Sequence, residues 1–411
     1  MFRRRNTSAT VLFVERLQPH LVGLVTALVG FTSSFAVVLA GLRAVGADPR
    51  QATSGLVALC AVQGLATVVL SQRYRTPLTA AWSTPGAALL VATGSVAGGW
   101  PAAVGAFVVC GGLLVLTALW RPLGRLVAAV PAPLAQAMLA GVLLTLCLAP
   151  VRGLVAAPLL VAPVVLLWLV LLRLAPRWAA PAAFAAALVV AVVVTTRAGH
   201  PPALVAPLVE LTAPAFTPGA LVGIAVPLYL VTMASQNVPG AAVVASAGYA
   251  VPWRASLLVT GAGTVAGAAA GAHAVNLAAI TAALPASPDA HPDPARRWVA
   301  SRTAGVCYLV LAALAPTLTA LVAAAPAGLV EAVAGLALLP ALGSALAVAT
   351  GDAARRVPAL ITFLLAASSV TIAGVGSAFW GLVAGLVAWR WLRPRVAAPV
   401  SSAPEPRPPA T

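Results

Sequence analysis

The sequence predicts an all-α polytopic membrane protein of about 14 transmembrane helices, arranged as two inverted repeats of seven, with helices 3 and 10 discontinuous. Three observations carry this. Apolar runs repeatedly reach bilayer length, arginines keep to alternate loops, and two polar interruptions fall at matching places in the two halves. Composition sets the class: 61% of residues are hydrophobic and 8% charged, with a mean hydropathy of +1.02, whereas a soluble domain carries about 25% charged residues. The 411 residues, at about 25–30 per span with its loop, fit roughly fourteen crossings and no separate water-soluble domain.

Taken in order, residues 1–17 are a cytoplasmic N-terminal segment. Met1-Phe2-Arg3-Arg4-Arg5 precedes the first long span without a small-residue cleavage site, so no removable signal peptide is expected. The first repeat, 18–198, reads as spans near 18–43, 51–71, 84–98, 101–120, 131–148, 156–174 and 180–198. Residues 199–217 form a Pro-rich external linker that carries Glu210. The second repeat, 218–393, reads as spans near 218–237, 254–271, 274–286, 302–324, 329–350, 357–374 and 376–393. The tail, 394–411, is rich in Pro, Ala and Ser and reads as disordered and cytoplasmic. Seven spans per repeat is odd, so the second repeat enters from the opposite side and the repeats are inverted.

Arginine placement supports this count. With a cytoplasmic N-terminus, all 24 basic residues except Arg43, Arg50, Arg152 and Arg197 fall at cytoplasmic loops or ends. That is the positive-inside bias, which a miscounted span would scramble. The same placement accounts for the net charge of +16. No aromatic residues interleave with the arginines and no nucleic-acid motif is present, so a nucleic-acid partner is not expected. The partner that the charge pattern implies is the lipid bilayer.

Cys60, Cys110, Cys147 and Cys307 are isolated within apolar runs and read as small packing residues. No metal-ligand spacing occurs, and no metal or cofactor is expected. The 34 glycines and abundant alanines suit close helix contact. Gly261-Ala262-Gly263 follows no strand and reads as packing rather than as a dinucleotide turn.

Three polar clusters interrupt the spans, where unpaired polar groups are costly. In Trp82-Ser83-Thr84-Pro85-Gly86, a hydroxyl residue before Pro marks a helix N-terminus, whose amides and dipole attract anions. An ordinary cap near the cytoplasmic face is the other reading. Ser235-Gln236-Asn237, followed by Val238-Pro239-Gly240, places two adjacent carboxamides at the end of span eight. They either donate to a substrate oxygen or satisfy neighbouring backbone. His273 and Asn276 stand one helical turn apart if that stretch is helical. His273 is either a carrier of a coupling proton or a neutral packing residue. Glu331 reads as interfacial and Asp352 as solvated, while Phe31, Phe35, Trp82 and Tyr229 are candidates for a ring-stacking wall.

Several of these stretches resemble the benzoate/proton symporter family of bacterial membrane proteins. They are Arg73-Tyr74-Arg75-Thr76-Pro77 with Ala81-Trp82-Ser83-Thr84-Pro85-Gly86-Ala87, and Met233 to Gly240. Ala274-Val275-Asn276-Leu277-Ala278-Ala279-Ile280-Thr281 and Phe379-Trp380-Gly381-Leu382-Val383-Ala384-Gly385 complete the set. The resemblance runs from about residue 16 to residue 393. It implies the fold of nucleobase permeases and sulfate-type anion transporters, with spans 1–4 and 8–11 as a core and spans 5–7 and 12–14 as a gate. It also implies substrate held between broken spans three and ten, beside span eight, and leaves room for a homodimer through the gate.

One departure matters. Nucleobase permeases of this fold carry glutamates on spans eight and ten, where this chain has Ser235, Gln236, Asn237, His273 and Asn276. A fixed negative charge would repel an anionic substrate, so the change fits a carboxylate. The resemblance therefore implies import of benzoate or a similar small aromatic carboxylate with a proton. A nucleobase or inorganic anion on the same fold is the alternative. An intramembrane enzyme would need a paired nucleophile and base. With four His and neither H-E-x-x-H nor G-x-S-x-G, none is expected.

Overall fold

A computed structural model describes residues 3–199, 203–372 and 375–392. The expected disordered tail lies outside them. The first repeat opens with α1 (Arg3–Thr32) and α2 (Phe35–Ala44), then α3 (Pro49–Tyr74), a strand β1 (Ala80–Trp82), α4 (Thr84–Thr93) and α5 (Gly99–Leu119). It continues through α6 (Arg121–Ala128), α7 (Ala132–Cys147), α8 (Ala149–Ala156), α9 (Pro158–Leu174) and α10 (Pro176–Arg197). The second repeat begins with α11 (Pro218–Ala220), α12 (Val226–Thr232) and α13 (Val238–Ser246), then α14 (Trp253–Ala268), a strand β2 (Val275–Leu277) and α15 (Ala283–Ala286). It ends with α16 (Trp298–Ala323), α17 (Leu329–Thr350), α18 (Arg356–Ala367) and α19 (Ser377–Trp391). Among the described residues, 8 helical stretches are long and apolar enough to cross a membrane, while Thr84–Thr93 and Pro158–Leu174 are shorter apolar helices.

Local chemistry explains the boundaries. Asp48 caps α3, accepting from Arg50 N at 2.8 Å and Gln51 N at 2.9 Å, while Gln51 reaches back to Asp48 N at 3.0 Å. Pro49 fills the first turn, where its missing N–H costs nothing. Glu331 plays the returning role at α17, accepting from Gly328 N at 3.0 Å.

Two expectations about segment shape change. Span one is interrupted at Ser33-Ser34, between α1 and α2. Span eight runs on to Ser246 as one rod, in which π-helical turns Leu221–Ala225 and Met233–Asn237 join α11, α12 and α13. Each π turn is followed closely by a proline, Pro227 or Pro239, which lacks the N–H for an α-helical bond and whose ring crowds the preceding turn. A widened turn relieves that clash, and the residue just before each proline bonds five back: Val226 N to Leu221 O and Val238 N to Met233 O. Gln236 and Asn237 therefore lie inside a long helix rather than at its end.

The two repeats interlock through a pseudo-two-fold exchange. α3 of the first packs on α16 of the second, and α14 of the second packs on α5 of the first. Both crossings centre on reciprocal glycines, Gly64 with Gly305 and Gly111 with Gly261. A Cβ on any of the four would come within 2.8–3.0 Å of the partner's carbonyl oxygen. α7 packs on α17 and α18 in a second body of helices. The linker is strapped across one face by Arg50–Glu210 at 3.4 Å, Thr212 N to Ala269 O at 2.8 Å and Ala215 N to Pro101 O at 2.9 Å. On the opposite face, Arg75 and Arg302 stack on Trp298 at 5.0 and 5.1 Å.

Candidate functional site

Spans three and ten break at the same place and repair each other. β1 and β2 pair antiparallel, with Ala80 opposite Leu277, Ala81 opposite Asn276 and Trp82 opposite Val275. Ser83 N to Ala274 O and Ala278 N to Thr79 O, both 2.8 Å, extend the ladder. A two-stranded sheet leaves its outer edges unpaired, which hydrocarbon does not tolerate. Side chains of flanking helices close those edges. Thr67 Oγ1 accepts from Ala80 N at 2.9 Å, and Gln63 Oε1 accepts from Trp82 N at 2.6 Å. On the other strand, Thr264 Oγ1 accepts from Val275 N at 3.0 Å and Asn237 Oδ1 from Leu277 N at 2.9 Å. Thr67 and Thr264 sit on corresponding helices of the two repeats, so the crossing inherits the symmetry of the fold.

The helix start expected at Thr84 is present. Ser83 caps α4, its Oγ accepting from Gly86 N at 3.1 Å, and Thr232 Oγ1 donates to the same Ser83 oxygen at 2.9 Å. Pro85 has no N–H, and Ala87 N bonds to Ser83 O at 2.8 Å. The accounting leaves the Thr84 N–H and hydroxyl as the donors at the head of α4. Thr84 is also the partly exposed member of a cluster in which Trp82, Ser83, Pro85, Gly86, Ser235, Gln236, Asn237, His273 and Asn276 are all buried.

The matching half-helix expected at Asn276 is not there. Asn276 lies in β2, and helix resumes only at Ala283. The shared helical face of His273 and Asn276 fails for the same reason. The Asn276 side chain instead donates to Leu277 O at 2.8 Å, and its Oδ1 has no partner among the described residues. Gln236 Oε1 accepts from Ala279 N at 3.4 Å. Gln63 Nε2, Ser235 Oγ and His273 Nε2 are likewise buried without partners among the described residues. His273 Nδ1 accepts from Ala274 N at 2.6 Å, so the ring is neutral, and it packs edge-on to Phe107 at 6.3 Å.

Three of the four candidate aromatic residues assemble. Trp82 lies 5.6 Å from Phe31, Phe31 lies 5.0 Å from Phe35, and Phe184 of α10 joins at 5.5 Å from Phe35. Trp82 Nε1 donates to Ser34 Oγ at 2.8 Å, which gives the break in span one a role. Tyr229 turns away, its hydroxyl bonded to Thr117 of α5. Sequence reasoning missed Ser34, Gln63, Thr67, Thr232 and Thr264. Each is a polar residue in an apolar span, the signal already used for Ser83 and Asn237.

None of the residues that form the crossing is acidic. The crossing thus offers neutral donors, one helix N-terminus and an aromatic wall, with no fixed negative charge.

Comparison with known proteins identifies the family and the fold. An Escherichia coli (strain K12) protein named inner membrane protein YdcO is 38% identical over 373 residues, covering 90% of this chain and 94% of its own. A benzoate membrane transport protein of Acinetobacter baylyi is 27% identical over 378 residues, covering 91% and 94%. Among solved structures, the transmembrane domain of a cyanobacterium bicarbonate transporter, BicA, superposes with a TM-score of 0.58 at 18% identity, covering 91% of this chain and 98% of that one. SLC26A9 gives 0.61 at 12% identity, covering 95% and 69%. These two establish the fold. Residues 16–390 match the sequence profile of the benzoate membrane transport protein family, and the chain belongs to that family of membrane transporters.

Proposed function

We propose that this protein is a secondary active transporter of the bacterial inner membrane, importing benzoate or a similar aromatic carboxylate together with a proton by alternating access. Both termini would be cytoplasmic. The observation that carries the reading is the buried crossing of β1 and β2. It combines a helix N-terminus at Thr84, unpaired polar atoms on Gln63, Ser235 and Asn276, and the Phe31–Phe35–Trp82 cluster, without a carboxylate. The substrate carboxylate would sit at the head of α4, with Gln236, Asn237 and Asn276 lining the same pocket and the ring against the aromatic wall. Phe184 belongs to the α7–α10 helices, so substrate would lie where a core of spans 1–4 and 8–11 meets a gate of spans 5–7 and 12–14. Movement between those bodies would expose the pocket to alternate sides.

Proton coupling has a route on the same atoms. His273 Nδ1 holds Ala274 N, Ala274 O holds Ser83 N, and Ser83 caps the helix that faces the substrate. A proton added at Nδ1 would expel the Ala274 N–H and shift that peptide. A nearby substrate anion would offset the charge gained, so proton and substrate would bind together. The deciding experiment is uptake of labelled benzoate into proteoliposomes, with and without an imposed pH gradient. Saturable uptake that the gradient drives uphill is expected, and its absence would refute the reading. The fold neighbours, which include a bicarbonate transporter, favour an inorganic anion as the second reading. Block of uptake by bicarbonate, sulfate or uracil, but not by benzoic-acid analogues, would select the second reading or a nucleobase.

A further inference from the structure

Where span eight and segment ten approach the arginine-rich face, the molecule holds an open cavity of 570 Å³. Its lining includes Val243, Ser246 and Ala247 at the end of α13, Ala283 and Ala286 of α15, Ser287 and Pro288, and Arg297. Arg297 is only 8% exposed. Its Nε donates to His291 O at 2.8 Å and its two terminal nitrogens to Ala286 O at 3.0 Å and Pro292 O at 3.4 Å. Carbonyl oxygens thus occupy three of its five N–H groups and leave the full positive charge. Asp293, the acid nearest in sequence, is engaged elsewhere, accepting from Ala295 N at 2.9 Å and facing Arg296 at 3.9 Å. Arg297 also stands at the N-terminal end of α16, where the helix dipole adds to the positive potential. An arginine that is largely buried on a cavity wall, and whose hydrogen bonds to His291, Ala286 and Pro292 all go to neutral carbonyl oxygens, attracts anions.

The position of the cavity gives it a use. α13 follows directly on the π turn of Gln236 and Asn237, so Ser246 lies about 15 Å along the same rod from the crossing. Between the two, Gly240 presses its backbone on the 277–278 stretch, where a Cβ would come within 2.5 Å of Ala278 O. That close backbone contact stands between the crossing and the cavity. We propose that the Arg297 cavity is a second anion site, a vestibule that holds the substrate carboxylate on the arginine-rich side of the Gly240 contact. This rests on the carboxylate-transport reading, and the two are tested separately.

The test uses the full-length protein purified in detergent, with phenylglyoxal modification of Arg297 followed by peptide mass spectrometry. Benzoate is the probe, and glycerol phosphate stands for a lipid headgroup. Benzoate is expected to slow labelling of Arg297 at least about threefold, equally in wild type and in Asn237→Ala. Ser246→Glu, which adds a repelling charge without touching the bonds of Arg297, should raise the benzoate concentration for half-protection roughly fivefold; Ser246→Gln should not. No protection, no labelling of Arg297 while Arg296 reacts, protection by glycerol phosphate alone, or protection lost in Asn237→Ala would each overturn the vestibule. Loss of gradient-driven uptake with protection intact would instead sink the transport reading.

Discussion

Asn237→Asp tests the electrostatic logic of the crossing with almost no change of shape. Asn237 Oδ1 accepts from Leu277 N at 2.9 Å in a fully buried setting, and a carboxylate oxygen keeps that role. The weak amide contact to Met233 Sδ at 3.5 Å is lost. What the substitution adds is a negative charge beside the proposed carboxylate position. For two charges about 5 Å apart at an effective dielectric near 20, the repulsion is roughly 3 kcal/mol, on the order of 10²-fold in affinity. Labelled benzoate uptake into proteoliposomes at neutral pH should show that rise in KM. Acidification should narrow the gap between the variant and the wild-type protein as the introduced carboxyl is neutralised. Asn237→Ala is the control. It leaves Leu277 N unpaired and should cost about 1–3 kcal/mol of stability, read as a lower unfolding temperature in detergent, with a smaller effect on KM. Wild-type KM for Asn237→Asp at neutral pH would refute the placement. Equal losses in both variants would show that Asn237 acts through the backbone of β2 alone.

Thr84→Val keeps the N–H at the head of α4 and deletes the hydroxyl. It should raise the benzoate KM roughly tenfold, and an unchanged KM would remove Thr84 from the site. Trp82→Phe retains the ring against Phe31 and loses the bond to Ser34 Oγ, which still reaches Gly30 O at 3.2 Å. Uptake should therefore survive with a stability loss of about 1 kcal/mol, whereas Trp82→Ala should raise KM for benzoate more than for a non-aromatic acid. His273→Gln should flatten the pH dependence of benzoate binding while exchange of bound for free substrate persists. Full gradient-driven accumulation with an unchanged pH profile would make His273 a packing residue.

The sequence by itself determined the class, the segment order and the helix start at Thr84. Hydropathy marks spans because hydrocarbon penalises every unpaired polar group, and arginines mark sides because they keep to one face. Ser83-Thr84-Pro85-Gly86 was legible as a helix start because capping is local chemistry, decided within four residues. Only the tertiary structure decided the rest. Val275-Asn276-Leu277 is a strand rather than a helix because β1 stands opposite it and supplies its ladder, and neither segment carries a sign of the other. The carboxamides of Gln236 and Asn237 sit in mid-helix because Pro239 forces a π turn instead of ending the rod. Gln63, Thr67 and Thr264 gained meaning once the edges they close were in place. The residues that satisfy a broken backbone come from distant helices, and only packing brings them there.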